Sequence, residues 1–460
     1  MSQPKSLYAP AGFLTREESE AIARRVLASA KAGETRVTIT SGARANTRFA
    51  ENQVSTSGDN YDAEVTVRSV FGKRVANAST NKLDEASLAA LVARSEALAR
   101  LAPEDPELMP ELGPQTYPTR PEPSQTETPT PEQRAAAVRA VSEPARAAGL
   151  ISTGYMQSNV GSLAIANNKG LFAYNRASSA AMSTTVRTPD GTGSGWAGSA
   201  HDEWSELDAA TLGARAIDKS VRSRNTVAVE PGRYTVILEP TAVANLVQLI
   251  VGGFQSPVNA RSADEGRSFF SKPGGGNKIG TKVVDERVTI VSDPMDPDGR
   301  GGLFTGEGIP TQRVVWIENG VVRNLQYDRF WAQKQGVSPT AASNVLRMSG
   351  GDASVEQMIA STQRGILVTR LWYIRAVDPR TILYTGLTRD GTFLVENGRI
   401  TQAIKNFRWN ESPIFMLNNI EMMGKPMRVN ASESGQGGGV IIVPPIKARD
   451  FNFTSLSDAV

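Results

Sequence analysis

The chain of 460 residues carries one histidine, His201, and no cysteine. Those two facts bound its chemistry. Disulfides, thiolate nucleophiles and Cys-ligated metals are excluded. A metal site with two imidazoles is excluded too, and any Ser-His-Asp triad would have to use His201. A carboxylate-only metal site stays open. His201 lies in AGSAHDEW (Ala197 to Trp204), where an imidazole could act as general base or ligand. Asp202 and Glu203 are too close in sequence to complete a ligand shell, and the small flanking residues read as a loop or strand end. A structural role is the expectation.

Asp293, Asp296 and Asp298 fall within DPMDPDGRGG. Closely spaced carboxylates suit hard cations, but the EF-hand spacing is absent, and Asp-Pro and Asp-Gly are turn formers. Two glycine clusters, Pro273 to Gly280 and Ser434 to Val440, match neither GxGxxG nor GxxxxGK[ST]. They read as flexible loops that could order around a ligand. SADEGRSFF (Ser262 to Phe270) could be a lid, with a solvated connection as the ordinary reading. Trp316, Trp331, Trp372 and Trp409 read as core. No serine stands in a GxSxG elbow.

The composition is that of a globular protein, 40% hydrophobic and 21% charged. Fifty basic against 47 acidic residues give +3, a small surplus for this size despite a pI near 9.0. No arginine-lysine stripe is present, so nucleic acid is not an expected partner. No run approaches the ~20 apolar residues of a membrane helix. The start, MSQPKSLYAPAGFLTREESE, lacks the pattern of a Sec leader.

At roughly 100–200 residues per domain, several units are expected. Ile22, Ala23, Val26 and Leu27 recur at helical spacing behind Thr15 and Glu18, a capping box. Arg36 to Gly42, Thr47 to Gly58 and Ala63 to Thr80 alternate as strands, the last turning at Gly72-Lys73. Asp84 to Leu101 is a second helix. Nine of the 26 prolines fall between Pro103 and Pro131, which forbids a regular element there. Pro131 to Ala148 and Trp204 to Arg224 read as helices around strands with turns at Asn159–Gly161 and Asn167–Gly170. Beyond a strand at Arg233 and a buried helix at Thr241 to Ile250, short strands with Asn-Gly turns dominate. The expected class is α+β: an N-terminal α/β part and a large, mainly antiparallel β C-terminal domain. The expected division is residues 1–102, a Pro-rich linker 103–130, a middle region 131–230 completing the N-terminal part, and 231–460.

Four strings carry a resemblance: RFAENQVSTSG, VRSVFGKRVANASTNKLDEASL, EGIPTQRVVWIENGVV and LTRDGTFLVENGRITQAIKNFRWNESPIFMLNNIE. In this order they resemble the TldD/TldE (PmbA) family of metallopeptidase-related proteins, from about Ala45 to the C-terminus. The resemblance implies a cytoplasmic protein and dimers enclosing a chamber in which one subunit cleaves unfolded peptides. In that subunit a helix carries His-Glu-x-x-x-His, and a cysteine completes a zinc site. Here the corresponding segment, Leu238 to Pro257, has no histidine, and its one carboxylate, Glu239, precedes the helix. Where the cysteine belongs, Ala431 is the nearest counterpart. The family zinc site is not retained, so no cofactor, metal ligand or catalytic residue is expected, and the resemblance is to the metal-free TldE type.

The implied role is a non-catalytic subunit that pairs with a TldD-like protein and shapes a chamber for unfolded peptide. The alternatives are a stand-alone homodimeric peptide-binding scaffold and, less favoured, an independent hydrolase. Candidate substrate contacts are Asn406, Arg408 and Asn410 on one strand and the glycine loop Gly437, Gly438 and Gly439.

Overall fold

The computed structural model describes residues 12–252, 256–430 and 439–457. Ala431, Gly437 and Gly438 lie outside the described residues.

The N-terminal part runs α1 (Arg16–Ser29), β1 (Glu34–Ala50), β2 (Gln53–Phe71), β3 (Arg74–Thr80), α2 (Glu85–Leu101), α3 (Pro131–Ala147), β4 (Ile151–Asn167), β5 (Phe172–Arg187), β6 (Ser194–His201) and α4 (Ala209–Arg222). The Thr15–Glu18 capping box opens α1 as expected, and a second, Thr130–Gln133, opens α3 behind Pro131 at its first turn. All six strands form one antiparallel sheet in the order β3-β2-β1-β4-β5-β6. The central pair, β1 with β4, joins segments on opposite sides of the Pro-rich stretch. Val37, Ile39 and Phe49 of β1 point under the helices: α1 and α2 cover one end of that face, α3 and α4 the other. The alternate residues of β1 point away from the helices, and this period-2 alternation produces a polar sheet face.

Two expectations are corrected here. The short strands at Arg36 to Gly42 and Thr47 to Gly58 are not separate. They belong to one long hairpin that turns at Glu51 and Asn52, both with positive φ, as a tight hairpin turn requires. Asn159–Gly161 is not a turn but the middle of β4. There Gly161 faces Gly42 of β1 so closely that a Cβ on it would lie 2.7 Å from the Ser41 carbonyl. That glycine serves strand contact rather than chain reversal.

The Pro-rich stretch forms no helix or named strand, as expected, but it is packed. Glu111 sits between Arg36 and Arg68, Asn167 donates to the Leu112 carbonyl at 2.7 Å, Tyr117 donates to the Gly308 carbonyl at 2.9 Å, and Arg120 donates to the Pro294 carbonyl at 3.0 Å. The segment is a strap from the sheet to the C-terminal part.

The C-terminal part runs β7 (Gly232–Leu238), α5 (Pro240–Val251), α6 (Ala260–Asp264), β8 (Ile290–Ser292), β9 (Val314–Glu318), β10 (Val321–Val322), α7 (Arg329–Gln335), β11 (Val345–Met348), α8 (Val355–Ala360), β12 (Arg364–Val368), β13 (Leu371–Asp378), β14 (Leu383–Thr388), β15 (Thr392–Glu396), β16 (Arg399–Ala403), β17 (Asn406–Glu411), α9 (Pro413–Asn418), β18 (Ile420–Met423), β19 (Met427–Val429), β20 (Val440–Val443) and β21 (Ile446–Ser457). One sheet orders β10-β9-β8-β11-β20-β19; the other orders β13-β14-β17-β21-β7-β12-β15-β16, with β18 beside β21. Most pairs are antiparallel, with β11·β20 and β7·β12 parallel. The largest core lies here, around α5, Trp316, Trp331 and Trp409. The chain is α+β, with an α/β N-terminal part before a β-rich C-terminal one.

Candidate functional site

A cavity of about 690 Å³ opens between the polar face of the N-terminal sheet and the ends of β19 and β20. Register builds its floor. Gly42 of β1 pairs with Asp62 of β2 and with Gly161 of β4, which pairs with Ala177 of β5. Directly paired residues share a sheet face. The row Asp62–Gly42–Gly161–Ala177 therefore crosses four strands as a low track. Asn60, Arg44, Asn159 and Ser179 form the next row, taller and polar. Arg300, Arg428 and Gly439 reach in from the C-terminal part.

The charges at the two ends differ. At the β2 end, no ion pair reaches Asp62 or Glu64 among the described residues. The Arg44 guanidinium turns toward β4, donating from Nε to Asn159 at 2.9 Å. At the β6 end, Arg428 grips both oxygens of Asp202 at 3.0 Å, and the Arg300 amide donates to the same carboxylate at 3.1 Å. The Arg300 side chain donates to the Pro121 carbonyl at 2.6 Å, tying the strap to the cavity rim. Asp202 thus takes one guanidinium, that of Arg428, and one backbone amide, while the Arg300 guanidinium stands on the same rim without a carboxylate of its own among the described residues.

His201 lines this cavity. Its Nε2 lies 2.6 Å from the Ser199 hydroxyl and its Nδ1 3.7 Å from Glu206. The second distance exceeds a hydrogen bond, so the ring is not held as the base of a triad. Burial, aided by the Arg428 charge, holds its pKa below 6.5. The Asp293–Asp298 loop is committed elsewhere. Asp296 takes Arg347 in a two-pronged pair at 2.6 and 2.7 Å, Asp298 takes the same guanidinium, and Asp293 accepts from the Met295 amide at 2.8 Å. Burial opposes ionisation of Asp296, but Arg347 outweighs it and holds the carboxyl below its ordinary range. Among the described residues no group of three or more His, Asp or Glu could hold a metal ion. Ser262 to Phe270 is packed rather than lid-like: Asp264 accepts from Trp331 at 2.7 Å, and Phe270 is buried.

The sequence-selected contacts divide between sheets. Asn406, Arg408 and Asn410 share one face of β17, in the nine-stranded sheet. Asn406 accepts the hydroxyls of Thr388 and Thr392 at 3.3 and 3.1 Å, Arg408 reaches Thr385 at 3.5 Å, and the Asn410 carbonyl oxygen accepts from Asn452 at 3.3 Å. Asn406 borders a smaller cavity of about 390 Å³. Gly439 belongs to the large cavity. The Thr-Arg-Asp-Gly motif makes an interdomain clasp. Asp390, at φ +55°, accepts from Ser194 of β6 at 2.7 Å and from Arg370 at 3.0 Å, and Arg370 stacks on Trp196. The cavity floor escaped sequence reading because Asp62, Gly42, Gly161 and Ala177 meet only through strand pairing across more than a hundred residues. The alternation of Thr40, Gly42 and Arg44 was the available signal.

Helix α5 lies in the segment, Leu238 to Pro257, that the resemblance sets against the zinc-binding helix of the catalytic subunit. Ala242 to Val247, Leu249 and Ile250 are buried, and Asn245 accepts from the Leu371 amide at 3.4 Å. This apolar set offers no donor for zinc. The residues present do not fit the metal.

Three family models match consecutive parts of the chain: PmbA/TldA metallopeptidase domain 1 over residues 37–99, the central domain over 125–224 and the C-terminal domain over 231–455. The chain belongs to the PmbA/TldD metallopeptidase family. A metalloprotease of Methanothermobacter thermautotrophicus is 25% identical over 53% of this chain and 55% of its own length. A metalloprotease TldD homolog of Buchnera aphidicola is 26% identical over 43% of this chain and 42% of its own. The chain thus spans about half the length of these curated relatives. The crystal structure of TldE from Thermococcus kodakarensis shares the fold, with a TM-score of 0.82 at 19% identity over 95% of this chain and 99% of that one. Among the described residues no helix is long and apolar enough to cross a membrane.

Proposed function

We propose that this chain is the metal-free, non-catalytic subunit of a TldD-like metallopeptidase, acting in the cytoplasm on unfolded peptides. The observation that carries the reading is α5: the segment that the resemblance sets against the family's zinc helix is apolar and packed into the largest core. The scaffold is retained while the donor set is gone. In this reading the chain supplies a wall of the chamber and the cavity between its sheet and its β19–β20 edge. Gly439 stands at the lip of that cavity, and the β17 row of Asn406, Arg408 and Asn410 braces the nine-stranded sheet.

The test is peptidase activity on an unfolded polypeptide, with the chain alone, the TldD-like protein of the same genome alone, and the two mixed, with zinc quantified in each. The expected outcome is a zinc-free, inactive chain that raises the partner's rate. Chelator-sensitive cleavage by the chain alone would overturn the reading. An inactive chain that leaves the partner's rate unchanged would overturn it in favour of a stand-alone scaffold.

A further inference from the structure

The large cavity has a direction. Its floor is the track of Gly42, Gly161 and Ala177, flanked on one side by Arg44, Asn159 and Ser179. The track runs across the strands from Asp62 on β2 toward β6. At β2, two carboxylates, Asp62 and Glu64, stand exposed without a cation among the described residues. Past β6, the Arg428 guanidinium pairs with Asp202, and the Arg300 guanidinium, which also lines the cavity, donates to the Pro121 carbonyl. Among the described residues lining the cavity, one end therefore carries two carboxylates without an ion pair and the other two guanidinium groups against one carboxylate.

The span follows from sheet geometry. From β2 to β6 is four strand spacings, about 19 Å at ~4.8 Å each. An extended peptide advances ~3.3 Å per residue, so about five or six residues reach from end to end. The volume of about 690 Å³ lies within the usual range for ligand cavities, roughly 300–1,000 Å³. Asn159, Gln157 and Ser179 can donate to and accept from a peptide backbone without reading side chains.

We propose that this groove binds short peptides by their two ends, the α-ammonium at Asp62 and Glu64 and the α-carboxylate at Arg300 and Arg428. The inference rests on the peptide-handling role proposed above and adds a polarity and a length to it. A ligand of this kind is a cleavage product rather than a long chain, because both termini must fit.

The test is calorimetric titration of the full chain with penta-alanine in three forms: free, N-acetylated and C-amidated. The free peptide is expected to bind, and each block to weaken binding about 10-fold, as expected for loss of one charged contact of ~1.4 kcal/mol. In D62N/E64Q the N-acetyl effect disappears while the amide effect stays. In R300Q the amide effect shrinks while the acetyl effect stays. Deca-alanine is expected to bind at least 10-fold more weakly than the pentamer. No binding of any form, or binding blind to both end blocks, overturns the proposal. Asp62 and Glu64 are surface positions, and circular dichroism confirms folding of that variant independently of R300Q. The two readings fail separately. If the wild-type chain stimulates the TldD-like partner but ignores peptide ends, the groove falls alone. If binding is end-dependent without stimulation, the accessory role falls and the groove stands.

Discussion

Glu411 closes β17 with its carboxylate buried, accepting from the Ser412 amide at 2.8 Å and from the Asn452 amide of β21 at 3.1 Å. Burial pushes its pKa up from 4.5 to about 7, against the pull of those two amides. The native state therefore holds a proton that the unfolded chain releases above 4.5. Stability falls as pH rises through the interval from 4.5 to 7, and the deficit is complete above it. At ~1.4 kcal/mol per pH unit, this interval corresponds to about 3 kcal/mol. E411Q removes the titration. It also leaves one amide facing an NH2 group, a pH-independent cost of about 1–3 kcal/mol. Urea midpoints of wild type and E411Q between pH 4.5 and 8 separate the two effects, because every other titrating group is common to both. The variant is expected to begin less stable at pH 4.5 and to gain about 3 kcal/mol on wild type by pH 7.5. A difference that stays constant across the range would refute the burial argument.

D390N keeps the shape and the left-handed backbone of the clasp but removes the buried carboxylate charge that faces Arg370. A loss of about 3–5 kcal/mol is expected, read by thermal unfolding and by faster proteolysis at the boundary near residue 230. G154A sets a Cβ within 2.3 Å of the Phe49 ring and 2.4 Å of the Ser183 carbonyl, so a loss of about 1–3 kcal/mol or more is expected in the same assay. His201 is the only histidine, so a single imidazole resonance should appear by NMR, with a midpoint below 6.5. R428Q, which removes a neighbouring positive charge and frees Asp202, should move that midpoint upward.

Local signals were readable wherever they acted locally. The capping box at Thr15 marked a helix start, and Asn397-Gly398 marked the β15–β16 hairpin, because a cap or a two-residue turn is decided by neighbours in sequence. Asn159–Gly161 misled for the same reason. Its turn chemistry is real, but the pairing of Gly161 with Gly42 overrides it, and that pairing spans residues 42 to 161. The site was less legible than the fold. The single histidine and the lack of cysteine could be read from residue types alone, whereas Asp62 and Arg300 share a cavity only after two domains have folded and docked. Asp390 sits in a turn at φ +55°, yet its carboxylate also spans the domain boundary to Ser194, which no local pattern signals.

The strand order sets a timetable for synthesis. β1 completes its outer pairing only when β4 emerges, so residues 36 to 49 wait for residues 154 to 167. At ~5–20 residues per second, about 120 residues of delay leaves that edge uncovered for roughly 6–24 s on the ribosome. The second sheet waits longer, since β21 inserts between β7 and β17 and joins residues more than 200 positions apart. Until residues 446 to 457 are available, β7 and β17 have no common neighbour, and the nine-stranded sheet remains two fragments. The nascent chain thus presents long open edges to its surroundings, and holdase chaperones that shield unpaired strands should govern its yield in the cell.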